Sequence, residues 1–460
     1  MNIRKMIAAI MSVMVMTTAY AGPVQAAEDE AVSGAVSEFI RETKCDGISI
    51  AIYDQGNITF YGDEDALYQI GSMTKAFTGL AVRKLISEGL IDENAVVSTY
   101  IPGFSVCYDS APADITIRNL LEMKSGFTND ELKYPSAESG MSLSEWALGL
   151  SGAELSTYPG SEYAYSNANY NLLGLIIENV TGMTYKEYME KEILEPLGLY
   201  NTYVGTPNDG RIIEGTRLIY RHACVYHVDV REACIPAGYF YSNASDMARW
   251  LEIWTENADI SEEIQDMVND IRSALTGEGG YIYGWELFEN DIIGHSGGTA
   301  NYSSRIVFSQ ESGTGVCVLT NLNVAASTDS LCNNILDIIN GGNAGKLSAD
   351  VWTIFDRIFT VFTIACLMIL FIMIFVGKRS ILLLTCISLS ALAALMLILF
   401  PAIFGAGLSS ILLTWAPLSL TGGLISAFAC IVFTAFKLIS GITHADNNKT
   451  GRRQTLDRDN

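Results

Sequence analysis

Two sections of the chain, near residue 50 and near residue 300, alternate apolar residues with polar or small ones, a pattern typical of β-strands. In the first section, Gly47–Tyr53 and Ile58–Tyr61 flank the polar run Asp54-Gln55-Gly56-Asn57, so the pattern predicts a β-hairpin. The second section predicts three further strands, at Ile292–Gly294, Ser303–Ser309 and Thr314–Thr320.

Between these sections, residues 72–270 repeat their apolar positions with a helical period. The clearest helical segments are Lys75–Glu88, Ile117–Met123, Asn171–Val180, Tyr185–Glu192 and Ala244–Trp254, and another, Ser330–Ile339, follows the last strand. Strands at both ends with helices between them predict an α+β fold. We expect an antiparallel sheet of five or more strands, flanked by helices, beside a helical lobe. A crevice between sheet and lobe is the expected ligand site.

The two ends of the chain carry signals for a membrane. Three apolar stretches, at about 358–376, 381–400 and 411–436, each reach the ~20 residues that span a bilayer. Lys378 and Arg379 separate the first two, and basic residues follow the third, so the positive-inside rule places the C-terminus in the cytoplasm. The first residues have a basic start, an apolar run and Ala19-Tyr20-Ala21, as in a secretory signal peptide.

These signals predict a multi-pass cell-membrane protein whose larger domain lies outside the cytoplasm. The expected order is a signal peptide at 1–26, an extracytoplasmic domain at 27–340, a linker at 341–352, three transmembrane helices at 353–437 and a cytoplasmic tail at 438–460. The formal charge of −23 argues against nucleic acid as a partner. The apolar stretches lack ionisable residues in their interiors, which favours an anchor or a bundle that binds another membrane protein over a channel.

The cysteines and histidines do not indicate a metal site or a cofactor. Six of the nine cysteines fall in the exterior domain, where a bridge between Cys224 and Cys234 is one option and free thiols are the other. The segment His222–His227 matches no standard zinc spacing, so we interpret it as a surface loop.

The tetrapeptide Ser72-Met73-Thr74-Lys75 directly precedes a helical segment. Residues three apart share one face of a helix, so the Lys75 amine can lie beside the Ser72 hydroxyl. A serine hydroxyl becomes a good nucleophile when a neighbour takes its proton, and free N–H groups at a helix start stabilise negative charge. The spacing alone is a weak signal, because an amphipathic helix start has the same pattern.

Two later segments strengthen this interpretation. Tyr165-Ser166-Asn167 follows a Pro-Gly turn and precedes a helix. Gly294-His295-Ser296-Gly297-Gly298 ends a predicted strand and lacks side chains where a substrate backbone could approach. Each has a structural explanation by itself: Tyr165 could be a half-buried aromatic residue, His295 a core histidine, and the glycines a β-bulge.

In this order the three segments resemble the motifs of the serine β-lactamase and penicillin-binding-protein superfamily, in its class C β-lactamase, D-alanyl carboxypeptidase and esterase branch. The resemblance covers roughly residues 30–340. Secondary matches are Ile117-Arg118-Asn119-Leu120-Leu121 with Ser125-Gly126-Phe127, Glu195-Pro196-Leu197-Gly198-Leu199, Pro236-Ala237-Gly238 and Ser245-Asp246-Met247-Ala248.

The resemblance implies a role for each motif residue. Ser72 would be the acylated nucleophile, Lys75 and Tyr165 the proton-relay pair, and Asn167 a ligand of the substrate amide. The segment His295-Ser296-Gly297 would form the wall of the site, and the N–H groups of Ser72 and Gly298 the oxyanion hole. Lys75 and Tyr165 remain alternatives for the general base, since a charged Lys75 lowers the pKa of the Tyr165 phenol and partial burial lowers the pKa of Lys75 itself.

One departure from the family bears on the substrate. Many β-lactamases and carboxypeptidases have Lys at the position of His295, and a histidine with a pKa of ~6.5 attracts a substrate carboxylate less at neutral pH. The resemblance implies hydrolysis of D-amino-acid-containing peptides or amides, by a membrane-anchored serine hydrolase of the D-Ala carboxypeptidase, D-aminopeptidase or prodrug-cap peptidase type, with no cofactor or metal. Activity as a β-lactamase or esterase is the alternative. A non-catalytic penicillin-binding sensor is the alternative of another class. The expected partners are a small peptide, amide, ester or β-lactam.

Overall fold

The computed structural model describes residues 28–134, 137–255, 258–275, 277 and 280–456, with side chains through Ser440. The predicted signal peptide lies outside the described residues. The chain divides into two compact units. Unit 1 contains the described residues up to 129 and the segments 134–216 and 225–350, and unit 2 contains 130–133, 217–224 and the chain from 351 onward.

The strands of the described chain are β1 (Ile48–Asp54), β2 (Asn57–Tyr61), β3 (Tyr68–Gln69), β4 (Val106–Tyr108), β5 (Ala111–Ala113), β6 (Ala153–Glu154), β7 (Tyr203–Val204), β8 (Thr216–Ile219), β9 (His222–Val225), β10 (Phe240–Ser242), β11 (Tyr281–Ile282), β12 (Trp285–Leu287), β13 (Ile292–Gly298), β14 (Ser303–Ser309) and β15 (Thr314–Thr320). Seven of them form the antiparallel sheet that organises unit 1, in the order β11-β12-β13-β14-β15-β1-β2, and the others form smaller sheets. Strand β1 pairs with β15 along its whole length, from Ile48 opposite Thr320 to Asp54 opposite Thr314. The prediction of an antiparallel sheet built from distant parts of the chain is confirmed.

Helices pack against this sheet and form a lobe beside it. They are α1 (28–43), α2 (Thr74–Ser87), α3 (Val97–Tyr100), α4 (Ile117–Leu121), α5 (Leu143–Leu150), α6 (Asn167–Thr181), α7 (Tyr185–Met189), α8 (Glu195–Leu197), α9 (Ile235–Gly238), α10 (Ala244–Trp254), α11 (Glu262–Ala274) and α12 (Ala325–Ile339). The α+β prediction is confirmed by this arrangement.

The two faces of the sheet have different partners. On one face, Trp254 of α10 contacts Phe308 of β14, with ring centroids 6.2 Å apart. Arg305, three residues earlier in the same strand, must point to the opposite face because strand side chains alternate. There it lies opposite Ser296, whose hydroxyl bonds to Asp329 of α12.

Unit 2 contains three helices long and apolar enough to cross a membrane: α13 (Val351–Phe375), α14 (Arg379–Phe404) and α16 (Leu418–Leu456), the last through its first part, Leu418–Ser440. A short helix, α15 (Leu408–Ser410), and a π turn at Ile411–Trp415 precede α16. Two differences from the expected boundaries follow. Helix α13 begins at Val351, inside the predicted linker. The third apolar stretch is not one continuous helix, because its backbone is extended at Ala416. Pro417 follows Ala416, and a residue before proline disfavours the helical conformation.

Polar side chains satisfy backbone groups within unit 2. Arg217 donates to the carbonyl oxygens of Leu413, at 2.8 Å, and Ala416. Lys437 donates to the carbonyl oxygens at the end of α13, including Met373 at 2.7 Å and Val376 at 2.9 Å. These contacts fix the ends of helices in an apolar unit, where an unpaired carbonyl group is costly.

Candidate active site

Ser72 lies in a short 3-10 turn, Gly71–Met73, that leads directly into α2. Its side chain is partly exposed, whereas Lys75 in the first turn of α2 is completely buried. The Nζ atom of Lys75 lies 2.9 Å from Oγ of Ser72. The structure therefore brings together the two residues of the first motif.

Lys75 Nζ has two further neighbours. The side-chain oxygen of Asn167, at the start of α6, lies 2.7 Å away, and the carbonyl oxygen of Ala237 in α9 lies 2.5 Å away. Burial lowers the pKa of Lys75 well below its usual 10.5, and the electrostatic influence of Cys234 acts in the opposite direction. A neutral amine is thereby favoured next to the Ser72 hydroxyl.

Tyr165 occupies the same site, with its ring centroid 5.0 Å from Lys75 Nζ. Burial raises the pKa of Tyr165, the Ser72 hydroxyl counteracts this effect, and Tyr163 and Glu286 reinforce it. The sequence left Lys75 and Tyr165 as equal alternatives for the base. The opposite directions of their pKa shifts favour a neutral phenol beside a neutral amine.

The strand β13 forms the wall of the site, and glycines bring it close to Ser72. A Cβ on Gly71, whose φ is +52°, would lie 2.5 Å from the backbone nitrogen of Gly298. A Cβ on Gly297 would lie 2.1 Å from the carbonyl oxygen of Ile70. Strand β12 pairs with β13 only as far as Gly294, which lies opposite Glu286. The edge of β13 that faces β12 therefore has no neighbouring strand at residues 295–298 among the described strands.

His295 is buried, with 5% of its surface exposed. Its Nδ1 lies 2.6 Å from the carbonyl oxygen of Ser296, which can only accept, so Nδ1 carries the proton. Its Nε2, 3.1 Å from the Tyr281 hydroxyl, then accepts the hydrogen bond that Tyr281 donates. Burial, assisted by the nearby Lys75, lowers the pKa of His295 to about 3. His295 is thus neutral at physiological pH.

The side chain of Ser296 points to the face of the sheet that packs on α12. Its hydroxyl donates to Oδ2 of Asp329 at 2.9 Å and accepts from Nη1 of Arg305 at 2.7 Å. The motif residues thus occupy two surroundings: Ser72, Lys75, Tyr165 and Asn167 converge around one amine, while Ser296 joins a separate charged cluster.

A turn that the sequence analysis missed supports the start of α2. Tyr283 and Gly284 join β11 to β12 with φ angles of +53° and +84°. A Cβ on Gly284 would lie 2.3 Å from the backbone nitrogen of Ala76. The signal that could have revealed this two-residue hairpin is the glycine, which adopts a positive φ readily, between flanks rich in aromatic and β-branched residues.

Other residues of the site had no signal in the sequence. Tyr281, Arg305 and Asp329 are ordinary strand and helix residues until the sheet register places them beside His295 and Ser296.

Comparisons with known proteins identify the family of the chain. The family model described as Beta-lactamase matches residues 32–337, about two thirds of the chain. Protein flp of Staphylococcus aureus (strain COL) is 32% identical over 298 residues, covering 60% of this chain and 60% of the relative. The chain therefore spans less than two thirds of the length of the curated relatives it matches first.

Two solved structures have the same fold. An octameric penicillin-binding protein homologue from Pyrococcus abyssi is 25% identical with a TM-score of 0.57, covering 71% of this chain and 80% of that one. A beta-lactamase/D-alanine carboxypeptidase from Pseudomonas syringae is 18% identical with a TM-score of 0.60, covering 68% and 99%. From its family match, its fold and the arrangement of its motif residues, this chain belongs to the beta-lactamase family.

Proposed function

We propose that this protein is a serine hydrolase that forms an acyl-enzyme on Ser72 and acts on D-amino-acid-containing peptides or related amides. The observation that carries the proposal is the environment of Lys75. Two of its neighbours, the Asn167 side-chain oxygen and the Ala237 carbonyl oxygen, can only accept hydrogen bonds. They occupy both N–H groups of a neutral amine and leave its lone pair directed at the Ser72 hydroxyl, 2.9 Å away.

The reaction proceeds from this arrangement. Ser72 Oγ attacks the substrate carbonyl carbon while its proton passes to Lys75 Nζ. The N–H groups of Ser72 and Gly298 donate to the tetrahedral oxyanion, a contribution of about 3 kcal/mol for one such donor. Collapse breaks the bond to the leaving group, which takes the proton from Lys75 by way of the Tyr165 hydroxyl. Water then attacks the ester, releases the acid and restores Ser72.

The proposed setting is the outer face of a membrane. The three apolar helices of unit 2 are long enough to span it. Lys378 lies between α13 and α14, Arg379 is the first residue of α14, and Lys437, Lys449 and Arg452 follow the third apolar stretch. The positive-inside rule then puts the 376–378 connection and the C-terminus in the cytoplasm and unit 1 outside.

The test is covalent labelling of the full-length protein in detergent with a neutral fluorophosphonate probe. Intact-mass spectrometry of the native protein should show one added probe, and the Ser72→Ala variant should show none. Labelling of both proteins alike, or of neither, refutes the assignment of Ser72. A binder without catalysis would give no Ser72-dependent adduct.

A further inference from the structure

The cluster around Ser296 distinguishes this site from one built to hold a carboxylate. It lies on the α12 face of the sheet and contains Glu286, Ser296, Arg305 and Asp329. Ser296 of β13 lies opposite Arg305 of β14. Gly294, two residues before Ser296, lies opposite Glu286 of β12. Residues two apart in a strand share a face, so Glu286, Ser296 and Arg305 all lie on the same face of the sheet. The cluster therefore adjoins the stretch of β13 whose outer edge is open.

The position of Ser296 relative to the reacting bond makes this cluster relevant to the substrate. Ser296 precedes Gly298, whose N–H is assigned to the oxyanion, by two residues, or roughly 6.6 Å along a strand. In a substrate that lies along the open edge of β13, the group one residue beyond the scissile bond would be displaced towards Ser296 by roughly 3.3 Å, about half of this distance. In a carboxypeptidase substrate that group is the terminal carboxylate. In a substrate whose C-terminus is amidated or esterified, it is a neutral amide or ester.

The hydrogen bonds of Ser296 leave it no proton to offer to a carboxylate. Its single hydroxyl proton points to Asp329 Oδ2, 2.9 Å away, while its oxygen accepts from Arg305. Across the part of the chain that the structure describes, Asp329 Oδ1 is buried and has no hydrogen-bond partner. Asp329 is therefore a carboxylate held beside β13 with few compensating contacts.

The charges of the cluster also disfavour an anion. Arg305 is 6% exposed, and its guanidinium lies 4.4 Å from the ring centroid of Phe288. This one cation faces two carboxylates, since Glu286 and Asp329 each interact electrostatically with Arg305 and with each other. The other candidate cation, His295, is neutral in this site. Burial raises the pKa values of Glu286 and Asp329, and with both groups ionised the cluster carries a net charge of about −1. Like charges brought together lower affinity.

We propose that Asp329 is a specificity-determining residue that excludes substrates with a free carboxylate next to the scissile bond and selects those that end in a neutral amide or ester. This inference rests on the proposed function and narrows it, because it separates the protein from carboxypeptidases of the same family. A substrate with a positively charged end would be accepted for the same electrostatic reason.

The test compares two substrates that differ only in this group: N-acetyl-D-alanyl-D-alanine, with its free carboxylate, and its C-terminal carboxamide. For the full-length native protein, kcat/KM should favour the carboxamide by at least about tenfold, mainly through KM. Asp329→Asn should reduce that preference about tenfold. The matched control is Asp337→Asn, which removes the same charge from an exposed position two turns further along α12 and should leave the ratio unchanged.

Equal rates on the two substrates, or a preference for the carboxylate in the native protein, would overturn the inference, whether or not Asp329→Asn folds. An equal change in Asp329→Asn and Asp337→Asn would overturn it too, because general electrostatics would then explain the preference. If neither compound is hydrolysed, their protection of Ser72 from the neutral fluorophosphonate measures the same ratio as binding. Absence of any Ser72 labelling is a different result, and refutes the proposed function instead.

Discussion

Acid should destabilise this protein through His295, and the size of the effect can be worked out. The pKa of His295 is about 3 in the folded protein, against 6.5 for an ordinary histidine. Between these values the unfolded chain binds a proton that the folded chain does not, so stability is fully present above pH 6.5 and is lost as the pH falls towards 3. At pH 4.5 the loss relative to pH 7.5 amounts to roughly 2.5 kcal/mol.

The physical reason is the hydrogen bonding of the imidazole. A proton on Nε2 would face the Tyr281 hydroxyl, which now donates to that nitrogen, and the charge would be buried near Lys75. His295→Gln removes the titration while keeping an acceptor for Tyr281. The native protein should therefore lose roughly 2.5 kcal/mol more than His295→Gln between pH 7.5 and 4.5.

The assay is thermal unfolding of the full-length proteins in detergent, followed by intrinsic fluorescence at both pH values. For a unit of roughly 300 residues the expected extra loss corresponds to a decrease in Tm of roughly 4 °C, from an unfolding entropy of about 2.1 cal/mol/K per residue. The carboxyl groups of Asp246, Glu286 and Asp329, whose pKa values burial raises, act in the opposite direction but are common to both proteins. A difference between the two proteins that does not change with pH would refute the assigned state of His295.

Three further predictions concern the site itself. Lys75→Met should slow fluorophosphonate labelling of Ser72 by about 10²–10⁴-fold, since it removes the base, and a labelling rate equal to that of the native protein would contradict its role. Tyr165→Phe should slow labelling less than Lys75→Met, because the phenol only relays a proton; the reverse order would make Tyr165 the base. Gly284→Ala should lower both Tm and labelling, since its Cβ would lie 2.3 Å from the backbone of α2. The control is Gly152→Ala, where φ is a similar +83° but no atom lies within 4 Å of the added Cβ. This variant should lower Tm by only about 2–4 °C and leave labelling intact. Equal losses in the two variants would show that backbone strain alone is responsible.

The sheet was predictable where side chains alternate strongly. Strands β14 and β15 have the predicted bounds, since each contains a continuous apolar run, Ile306–Phe308 and Val316–Leu319, and a turn separates them. Strand β13 was predicted to end at Gly294 but continues to Gly298. Its last residues have little intrinsic strand preference, and pairing with β14 imposes the conformation.

The site was predictable as far as local spacing defines it. The Ser72 to Lys75 contact follows from helical geometry, and their approach to Tyr165 and Asn167 was expected only from the family resemblance. The roles of Tyr281, Arg305 and Asp329 depend on sheet register and on the packing of α12, which no local pattern encodes. The charge states were also out of reach, because burial in the folded protein determines the pKa of Lys75 and of His295.

A bridge between Cys224 and Cys234 was one of two options in the sequence. In the structure Cys224 is exposed in β9, Cys234 is half-buried before α9, and both thiols are free. Burial raises the pKa of Cys234, so it is not a reactive thiolate beside Lys75.

The central claim is that a neutral Lys75 amine takes the proton of Ser72. The most direct test is the rate of Ser72 labelling by the neutral fluorophosphonate as a function of pH, with Lys75→Met measured alongside. The account predicts that the rate decreases on acidification with a single inflection well below pH 10.5, and that Lys75→Met abolishes this inflection. An inflection near 10.5, or one that persists in Lys75→Met, would contradict it.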